Sequence, residues 1–374
     1  MVSSFLLLPM CPEQSSSPFR ARQERLRALM ETRRLRLLLV THLVNVRYLT
    51  GFTGSAGIVL VGMQQGILWV DPRYALQAQE QAEGVEVIVE KKGILKGAAS
   101  WFRKNGVRES TFEASNLTCA QFEQLRQEAG HSFRLKPVGD LIEELRIVKD
   151  CGEIEAIRSA GKVTAQVYAD VLPHVRPGVI EQDLAAEIEY RMRKEGAEGA
   201  AFETIVASGP RSAYPHARPS SKALQESELV IFDLGAIVSG YAADMTRTVF
   251  VGEPNRRVRN IYSAVLKAQA GAVQALQDAT PAGKIDSAAR RVLAKHGLAR
   301  YFTHSTGHGV GMEIHERPRL GKGETTRLRS GSVVTVEPGV YLEGFGGIRV
   351  EDTLLVGPGG PEVLTPASKE NWIV

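Results

Sequence analysis

The first third of the chain shows short apolar runs separated by segments in which apolar residues recur at helical spacing. The β-type runs cover 36–40, 57–61, 67–70 and 85–90, and the helical segments cover 19–34, 74–82 and 117–129. Strands that alternate with helices are typical of an α/β domain built on a layered sheet. We therefore predict an α/β domain over residues 19–139, preceded by a disordered extension over residues 1–18.

The pattern changes after residue 139. Apolar residues recur at every third or fourth position over 141–172, which is typical of a helix with one buried face. Further helices are predicted over 181–194, 257–279 and 284–296, and strands over 203–207, 229–237, 241–251, 332–338 and 347–356. Long helices among hairpin-spaced strands indicate an α+β domain with a largely antiparallel sheet, which we assign to residues 140–374.

The composition is that of a folded globular protein. Hydrophobic residues make up 43% and charged residues 24% of the 374 residues, which disfavours disordered, collagenous and coiled-coil chains. The 46 Lys+Arg and 42 Asp+Glu residues form a mixed surface, so no nucleic-acid partner is predicted. No apolar run approaches the roughly 18–20 residues of a membrane span, so no membrane partner is predicted either. Three cysteines are too few for a disulfide framework and favour a cytoplasmic location.

Acidic residues inside apolar β-type runs are the first sign of chemistry. Asp233 follows Val230-Ile231-Phe232, and Asp244 lies between Ala243 and Met245. Burying an unpaired carboxylate costs free energy unless the carboxylate meets a cation or a metal ion. A four-residue loop at 237–240 would set Asp233 directly opposite Asp244 on one face of a hairpin.

A second hairpin offers the same arrangement. Glu337 and Glu351 are equidistant in sequence from Gly344, which lies in a glycine-rich stretch. Four neighbouring carboxylates would repel and raise each other's pKa values unless cations compensate them. Oxygen-rich ligation suits Mn²⁺, and one imidazole extends the choice to Co²⁺, Zn²⁺ or Fe²⁺. His308 is the candidate imidazole, because the glycines on either side let the chain approach a crowded centre.

These residues resemble the motifs of the pita-bread metallopeptidases, the family that includes methionine aminopeptidase, aminopeptidase P and prolidase. The resemblance covers nearly all of the chain after about residue 20 and implies the pita-bread fold for the second domain. The matching motifs are Asp233-Leu234-Gly235, Asp244-Met245-Thr246-Arg247-Thr248, Gly307-His308-Gly309-Val310-Gly311, Thr335-Val336-Glu337-Pro338-Gly339 and Gly347-Ile348-Arg349-Val350-Glu351-Asp352.

The resemblance implies a site with two divalent metal ions, for which Mn²⁺ is expected and Co²⁺, Zn²⁺ and Fe²⁺ are alternatives. Asp233 would chelate one ion, Asp244 and Glu351 would bridge both, and His308 with Glu337 would hold the other. A pair of ions can lower the pKa of a shared water and polarise a carbonyl group, so a metal-bridged hydroxide is the expected nucleophile. Glu337 would also take the water proton as the general base.

The N-terminal half narrows the resemblance to the proline-specific branch. The stretches Asn45–Ser55 and Asp71–Tyr74 resemble the creatinase-type N-terminal domain, which methionine aminopeptidases lack. The resemblance implies hydrolysis of the Xaa-Pro bond at the free N-terminus of peptides or in dipeptides, and a homodimer. Its expected partner is a peptide with proline at the second position.

Four further residues are assigned roles beside the metal ions. His216 and His315 match histidines that line the substrate site of the proline-specific branch, and both would donate to the developing oxyanion. Arg349 and Tyr241 lie close in sequence to the metal motifs, and both are expected to orient metal-binding carboxylates.

Two other functions on the same fold remain as alternatives. A creatinase-like amidinohydrolase works without metal and does not keep the five ligands. A non-catalytic binding protein of this fold typically loses ligands. A serine hydrolase is not supported, because the sequence has no Gly-x-Ser-x-Gly motif. The sequence leaves open whether the substrate is a dipeptide or a longer peptide.

Overall fold

The computed structural model describes residues 17–130 and 132–374, which fold as two compact units that divide between Leu145 and Arg146. Most of the predicted extension, residues 1–16, lies outside the described residues. Pro18 already belongs to the first helix, where its fixed φ suits the opening turn. None of the helices in the described ranges combines the length and apolar character of a membrane span.

The first unit is a six-stranded mixed sheet with helices, which confirms the α/β prediction. Its strand order is β4-β3-β2-β1-β5-β6, with antiparallel ladders between β1, β2 and β3 and parallel ladders elsewhere. The strands are β1 (Leu37–Val40), β2 (Gly57–Gly62), β3 (Gly66–Val70), β4 (Glu86–Val89), β5 (Glu109–Glu113) and β6 (Arg134–Val138). The helices are α1 (Pro18–Thr32), α2 (Leu43–Thr50), α3 (Ala75–Gln81), α4 (Ile94–Lys104), α5 (Cys119–Ala129) and α6 (Leu141–Arg146).

The second unit combines four long helices with antiparallel ladders, which confirms the α+β prediction. Its helices are α7 (Cys151–Val171), α8 (Glu181–Lys194), α9 (Arg256–Ala275) and α10 (Ala282–Lys295). Its strands are β7 (Gly199–Ala200), β8 (Ile205–Ser208), β9 (Leu229–Leu234), β10 (Ala236–Val238), β11 (Tyr241–Ala242), β12 (Met245–Phe250), β13 (Gly307–Gly309), β14 (Glu316–Leu320), β15 (Val333–Val336), β16 (Gly339–Leu342), β17 (Gly346–Arg349), β18 (Asp352–Gly357) and β19 (Gly360–Val363).

Two hydrophobic clusters give the second unit two halves. One cluster packs α7 and α8 against β8, β9 and β12, through residues such as Ile188 and Phe232. The other packs α9 and α10 against β15 to β18, through residues such as Val265 and Val336. Each half therefore buries one helix pair on antiparallel strands, and the five predicted metal ligands lie on or directly beside strands of this unit.

The predicted helix over 141–172 is interrupted. The chain leaves α6 at Arg146 and starts α7 at Cys151, because Asp150 and Glu153 form a capping box. Each carboxylate accepts from the other residue's backbone N–H at 2.9 Å, which satisfies amide groups at the start of α7.

Two glycines in long helices give a matched test of this packing. A Cβ atom on Gly161 of α7 would lie 2.0 Å from the Leu364 carbonyl oxygen, whereas the nearest atom to one on Gly271 of α9 is Val292 Cγ2 at 3.5 Å. We expect Gly161→Ala to destabilise the protein by about 1–3 kcal/mol, as overpacking does. Gly271→Ala should be neutral or stabilising by up to about 1 kcal/mol. Equal urea midpoints for the two variants would contradict this packing.

Candidate metal centre

Asp233 and Asp244 lie on neighbouring strands, but not directly opposite each other. Asp233 of β9 faces Thr246 of β12, and Asp244 comes two residues before that partner. The predicted four-residue loop is wrong, because β10 and β11 are joined by a two-residue turn, Ser239 and Gly240, both with positive φ. A register change of two residues keeps side chains on the same face, so the two aspartates are diagonal neighbours.

The predicted pairing of Glu337 with Glu351 is confirmed. The ladder between β15 and β18 ends at Val336 and Asp352, one step before the two glutamates. The ladder between β16 and β17 resumes in the same register beyond them. Glu337 and Glu351 thus face each other in the gap between two ladders.

Threonine hydroxyls join the aspartate pair to the glutamate pair. Thr246 donates its hydroxyl hydrogen to Glu351 Oε2 at 2.6 Å, and its carbonyl accepts from the Glu351 amide at 3.1 Å. Thr353 donates to the Asp244 carbonyl at 2.8 Å and accepts from the Asp244 amide at 3.0 Å. These hydrogen bonds hold the ends of the two hairpins side by side, so that their four carboxylates converge on one site.

His308 turns an unprotonated ring nitrogen toward these carboxylates. Its Nδ1 lies 3.0 Å from the Gly309 carbonyl, which can only accept, so Nδ1 carries the proton. Burial lowers the pKa of His308 to about 4, which keeps the ring neutral. The remaining nitrogen, Nε2, lies 3.6 Å from both Asp244 Oδ2 and Glu337 Oε1, too far for a hydrogen bond.

The four carboxylates act on one another strongly. Burial, and then the negative charge of Glu351, raises the pKa of Asp244 well above its usual range. Burial and the charges of Glu337 and Asp233 do the same for Glu351. The pKa of Glu337 rises to about 8, mainly through burial, although Arg349 opposes the shift. Such a cluster needs positive charge if it is to stay ionised at neutral pH.

Arg349 supplies one positive charge and orients part of the cluster. Its Nη2 donates to Asp233 Oδ2 at 2.6 Å, and its Nε donates to Thr246 Oγ1 at 2.9 Å. Thr246 in turn donates to Glu351, so the buried guanidinium acts on two carboxylates, one directly and one through a hydroxyl. One charge does not balance four carboxylates.

The residues present fit divalent cations. Candidate ligand atoms of Asp244, His308 and Glu351 lie within 4.8 Å of one another. The buried Oδ1 of Asp233 has no hydrogen-bond partner among the described residues. An orphaned carboxylate oxygen and a bare imidazole nitrogen beside further carboxylates are the donor set that a transition-metal cation requires.

His216 and His315 both lie close to this centre. The His315 ring meets the His308 ring edge to face, with 4.4 Å between their centroids. Partial burial, followed by the positive charge of His216, lowers the pKa of His315, and the charge of Asp233 opposes the shift. Both histidines are exposed, so each can reach a bound molecule.

A buried ion-pair cluster holds the segment that carries His315. Glu316 accepts from Arg146 Nη2 at 2.5 Å and from Lys149 Nζ at 3.1 Å, and all three side chains are largely buried. The same Nη2 also donates to Glu313 at 2.7 Å. Glu316, which follows His315 in the sequence, is thus held in place by the side chains of Arg146 and Lys149.

Two residues near the centre were missed by the sequence analysis, His304 and Tyr341. The Tyr341 hydroxyl accepts from Arg349 Nη1 at 2.7 Å and lies 2.8 Å from His304 Nε2, to which it donates. Burial lowers the pKa of His304 to about 4, so its Nε2 is free to accept. The crowding of histidines between His296 and His315 was a signal for His304, whereas Tyr341 had none.

Tyr241 hydrogen-bonds to the start of α7, and its expected role in orienting a metal-binding carboxylate stays a prediction. Its hydroxyl donates to Glu153 Oε1 at 3.1 Å, and Glu153 belongs to the capping box of α7. Tyr241 faces Val238 in the β10–β11 hairpin and shares a hydrophobic cluster with Ile157 of α7. The tyrosine therefore ties this hairpin to a helix.

Comparison with known protein families matches both units of the chain. The profile of metallopeptidase family M24 matches residues 155–358. The profile of the creatinase/prolidase N-terminal domain matches residues 22–148. The predicted domain boundary at 139/140 precedes α6, whereas the N-terminal profile continues past that helix.

Individual relatives extend over nearly the whole chain. An Xaa-Pro dipeptidase of Pyrococcus horikoshii is 36% identical over 91% of this chain and 95% of its own. The structure of an Xaa-Pro dipeptidase from Bacillus anthracis superposes with a TM-score of 0.92 at 36% identity, covering 95% of this chain and 100% of that one. The structure of an X-Pro aminopeptidase from Thermotoga maritima superposes with a TM-score of 0.86 at 34% identity, covering 94% of this chain and 99% of that one.

The carboxylate cluster makes a prediction for the metal-free protein. The pKa of Glu337 is about 8 in the folded state and near its ordinary 4.5 when unfolded, so the folded protein holds more protons between these values. Stability should therefore fall as pH rises from about 5 to 8. Melting temperatures of chelator-treated protein would measure this, and Glu337→Gln should flatten the dependence. A melting temperature that rises with pH over this window would contradict the cluster's electrostatics.

Proposed function

This chain is a member of metallopeptidase family M24, and from that premise we propose that it hydrolyses the Xaa-Pro peptide bond. The observation that carries the proposal is the bare Nε2 of His308, 3.6 Å from two carboxylate oxygens in a cluster of four acids. Relatives that are 36% and 35% identical bear the name Xaa-Pro dipeptidase, which supports proline as the second residue of the substrate.

Five side chains would hold two divalent cations in this proposal, with Mn²⁺ as the expected ion and Co²⁺, Zn²⁺ or Fe²⁺ as alternatives. They are Asp233, Asp244, His308, Glu337 and Glu351. A pair of such cations, when bound, supplies an activated water near neutral pH and polarises a carbonyl group. The same cations would relieve the repulsion between the carboxylates, which the single charge of Arg349 does not balance.

Glu337 is the proposed general base. Its oxygens lie near two imidazole rings, 3.6 Å from His308 Nε2 and 3.9 Å from His304 Nδ1. With the cations bound, an ionised Glu337 within hydrogen-bond reach of the water could take its proton and pass it to the leaving nitrogen.

His216 and His315 are the proposed donors to the substrate carbonyl oxygen. The lowered pKa of His315 keeps its ring neutral at pH 7, and a neutral imidazole still offers one N–H. Preorganised donors that meet an oxygen as it becomes negative are typically worth about 3–4 kcal/mol each. Arg349 acts beside them by holding Asp233 in place.

The bond to proline suits this chemistry for a simple reason. The nitrogen of proline carries no hydrogen once it forms a peptide bond, so a site that relies on that donor would reject it. Nothing in the proposed roles of Glu337, His216 and His315 uses that N–H. The two alternatives, a creatinase-like amidinohydrolase and a non-catalytic binding protein, are weaker because all five proposed ligands are present in the sequence.

A homodimer and a cytoplasmic location remain predictions for this chain. The dimer can be tested by light scattering with multi-angle detection on the purified protein. The location can be tested by fractionation of the source cells.

The activity can be tested with purified protein. We expect Mn²⁺-loaded protein to cleave Ala-Pro or Met-Pro dipeptides, and chelator treatment to reduce the rate at least a hundredfold because the activated water is lost. Gly-Gly and Ala-Leu serve as controls and should not be cleaved. Undiminished cleavage after complete removal of metal, verified by elemental analysis, would defeat the proposal.

A paired substrate comparison separates dipeptidase from aminopeptidase activity. We propose the dipeptidase, since relatives with that name match at up to 36% identity over most of both chains. The expected result is a higher kcat/KM for Met-Pro than for Met-Pro-Ala, measured on one preparation. A clear preference for the tripeptide would assign the chain to the aminopeptidase instead.

A further inference from the structure

Glu181, outside the proposed metal centre, is a fully buried carboxylate with five hydrogen-bond donors around it. It is the first residue of α8. Its Oε1 accepts from the backbone N–H of Ser208 at 2.8 Å and from the Ser208 hydroxyl at 2.7 Å. Its Oε2 accepts from the Ser220 N–H at 3.0 Å, the Ser220 hydroxyl at 2.7 Å and Arg211 Nε at 3.2 Å.

The two serines are the two ends of one loop. Ser208 ends β8, the chain then runs through Tyr214-Pro215-His216, and Ser220 closes the segment. One carboxylate therefore clasps both ends of the loop that carries His216. We call residues 208–220 the His216 loop.

The middle of the His216 loop is fixed at the metal centre. The Pro215 carbonyl accepts from Arg349 Nη1 at 3.2 Å, and Ser212 Oγ accepts from the Gly347 amide at 2.9 Å. Yet His216 itself is exposed, so packing around the ring does not set its position. The backbone anchors of the loop then decide where the ring lies: Arg349 and Gly347 hold its middle, and Glu181 holds both of its ends.

The charge on Glu181 suits this task. Hydrogen bonds from both serines outweigh the effect of burial and lower its pKa, so the group is ionised at neutral pH. An ionised carboxylate accepts all five donors at once, whereas an amide nitrogen at one position would face N–H and O–H groups that it cannot accept from. A buried acceptor of this kind is costly to replace.

We propose that Glu181 is a positioning residue for His216, which it holds at the substrate through both ends of the His216 loop. The inference rests on the proposed function, because Glu181 would act through His216, the proposed donor to the substrate carbonyl oxygen. A displacement of about 1 Å in a catalytic group can lower a rate by about a hundredfold.

The test uses Glu181→Gln, alone and combined with His216→Ala, in the full-length metal-loaded protein. We expect Glu181→Gln to lower kcat on Met-Pro by ten- to a hundredfold with KM changed less than threefold. In the His216→Ala background the same substitution should change kcat less than threefold, because its effect passes through that ring. Metal content should stay at the wild-type value.

Two further variants keep the comparison interpretable. Glu113→Gln alters another buried carboxylate, which accepts from the Thr41 and His42 amides at 2.7 and 2.8 Å in the first unit, and should leave kcat unchanged. If Glu181→Gln does not fold, Ser220→Ala can replace it, because it removes one of the five hydrogen-bond donors to Glu181. It would be measured alone and combined with His216→Ala in the same way.

Hydrogen exchange supplies a readout that does not depend on turnover. Peptides covering the His216 loop should exchange faster in Glu181→Gln, whereas those covering residues 333–342 should not change. Unchanged exchange in the loop, loss of metal, or effects that multiply fully with His216→Ala would overturn the proposal. If the wild-type protein does not cleave Xaa-Pro dipeptides, the proposed function is wrong. The exchange result would still show whether Glu181 holds the two ends of the His216 loop.

Discussion

The repulsion between four clustered carboxylates, two of them buried, is the constraint on which the second unit depends. Asp233, Asp244, Glu337 and Glu351 come from both halves of this unit, and each half would push the other away without compensating charge. Arg349 offsets part of the repulsion, and threonine hydroxyls hold the backbones in place. Divalent cations would complete the balance, so metal binding and folding of this unit should be thermodynamically linked.

Four of the five proposed metal ligands lie where a strand ends or its register shifts; only Asp233 lies within a regular ladder. Asp244 separates β11 from β12, Glu337 separates β15 from β16, and Glu351 separates β17 from β18. His308 lies at a register irregularity in its ladder with β14. Strand breaks free a side chain from the strict alternation of a ladder, which lets carboxylates from separate hairpins converge.

The sequence predicted which side chains gather at the candidate site better than it predicted the strand registers and contacts around them. Motifs and the spacing around Gly344 identified the glutamate pair, whose register the structure confirms. The aspartate register was wrong by two residues because Ser239, which is not a glycine, takes a positive φ in the turn. Helix α4 was missed, since Gly97 interrupts its pattern to make room for Glu90 and Trp69. Tyr341 was missed because its role depends on contacts with residues distant in sequence.

The segment that carries each exposed histidine is held by a buried glutamate side chain. Glu316 anchors the segment of His315 through Arg146 and Lys149, and Glu181 clasps the loop of His216 through its two end serines. The rings themselves remain exposed and able to meet a substrate. Rigid carboxylate anchors behind exposed donors are one way in which loops reach the precision that catalysis requires.

The most direct test of the account is anomalous diffraction from crystals grown with Mn²⁺. We expect anomalous signal from two manganese ions, which would be held by Asp233, Asp244, His308, Glu337 and Glu351. Crystals in which Mn²⁺ is absent from these side chains at saturating concentration, or bound only elsewhere on the chain, would contradict it.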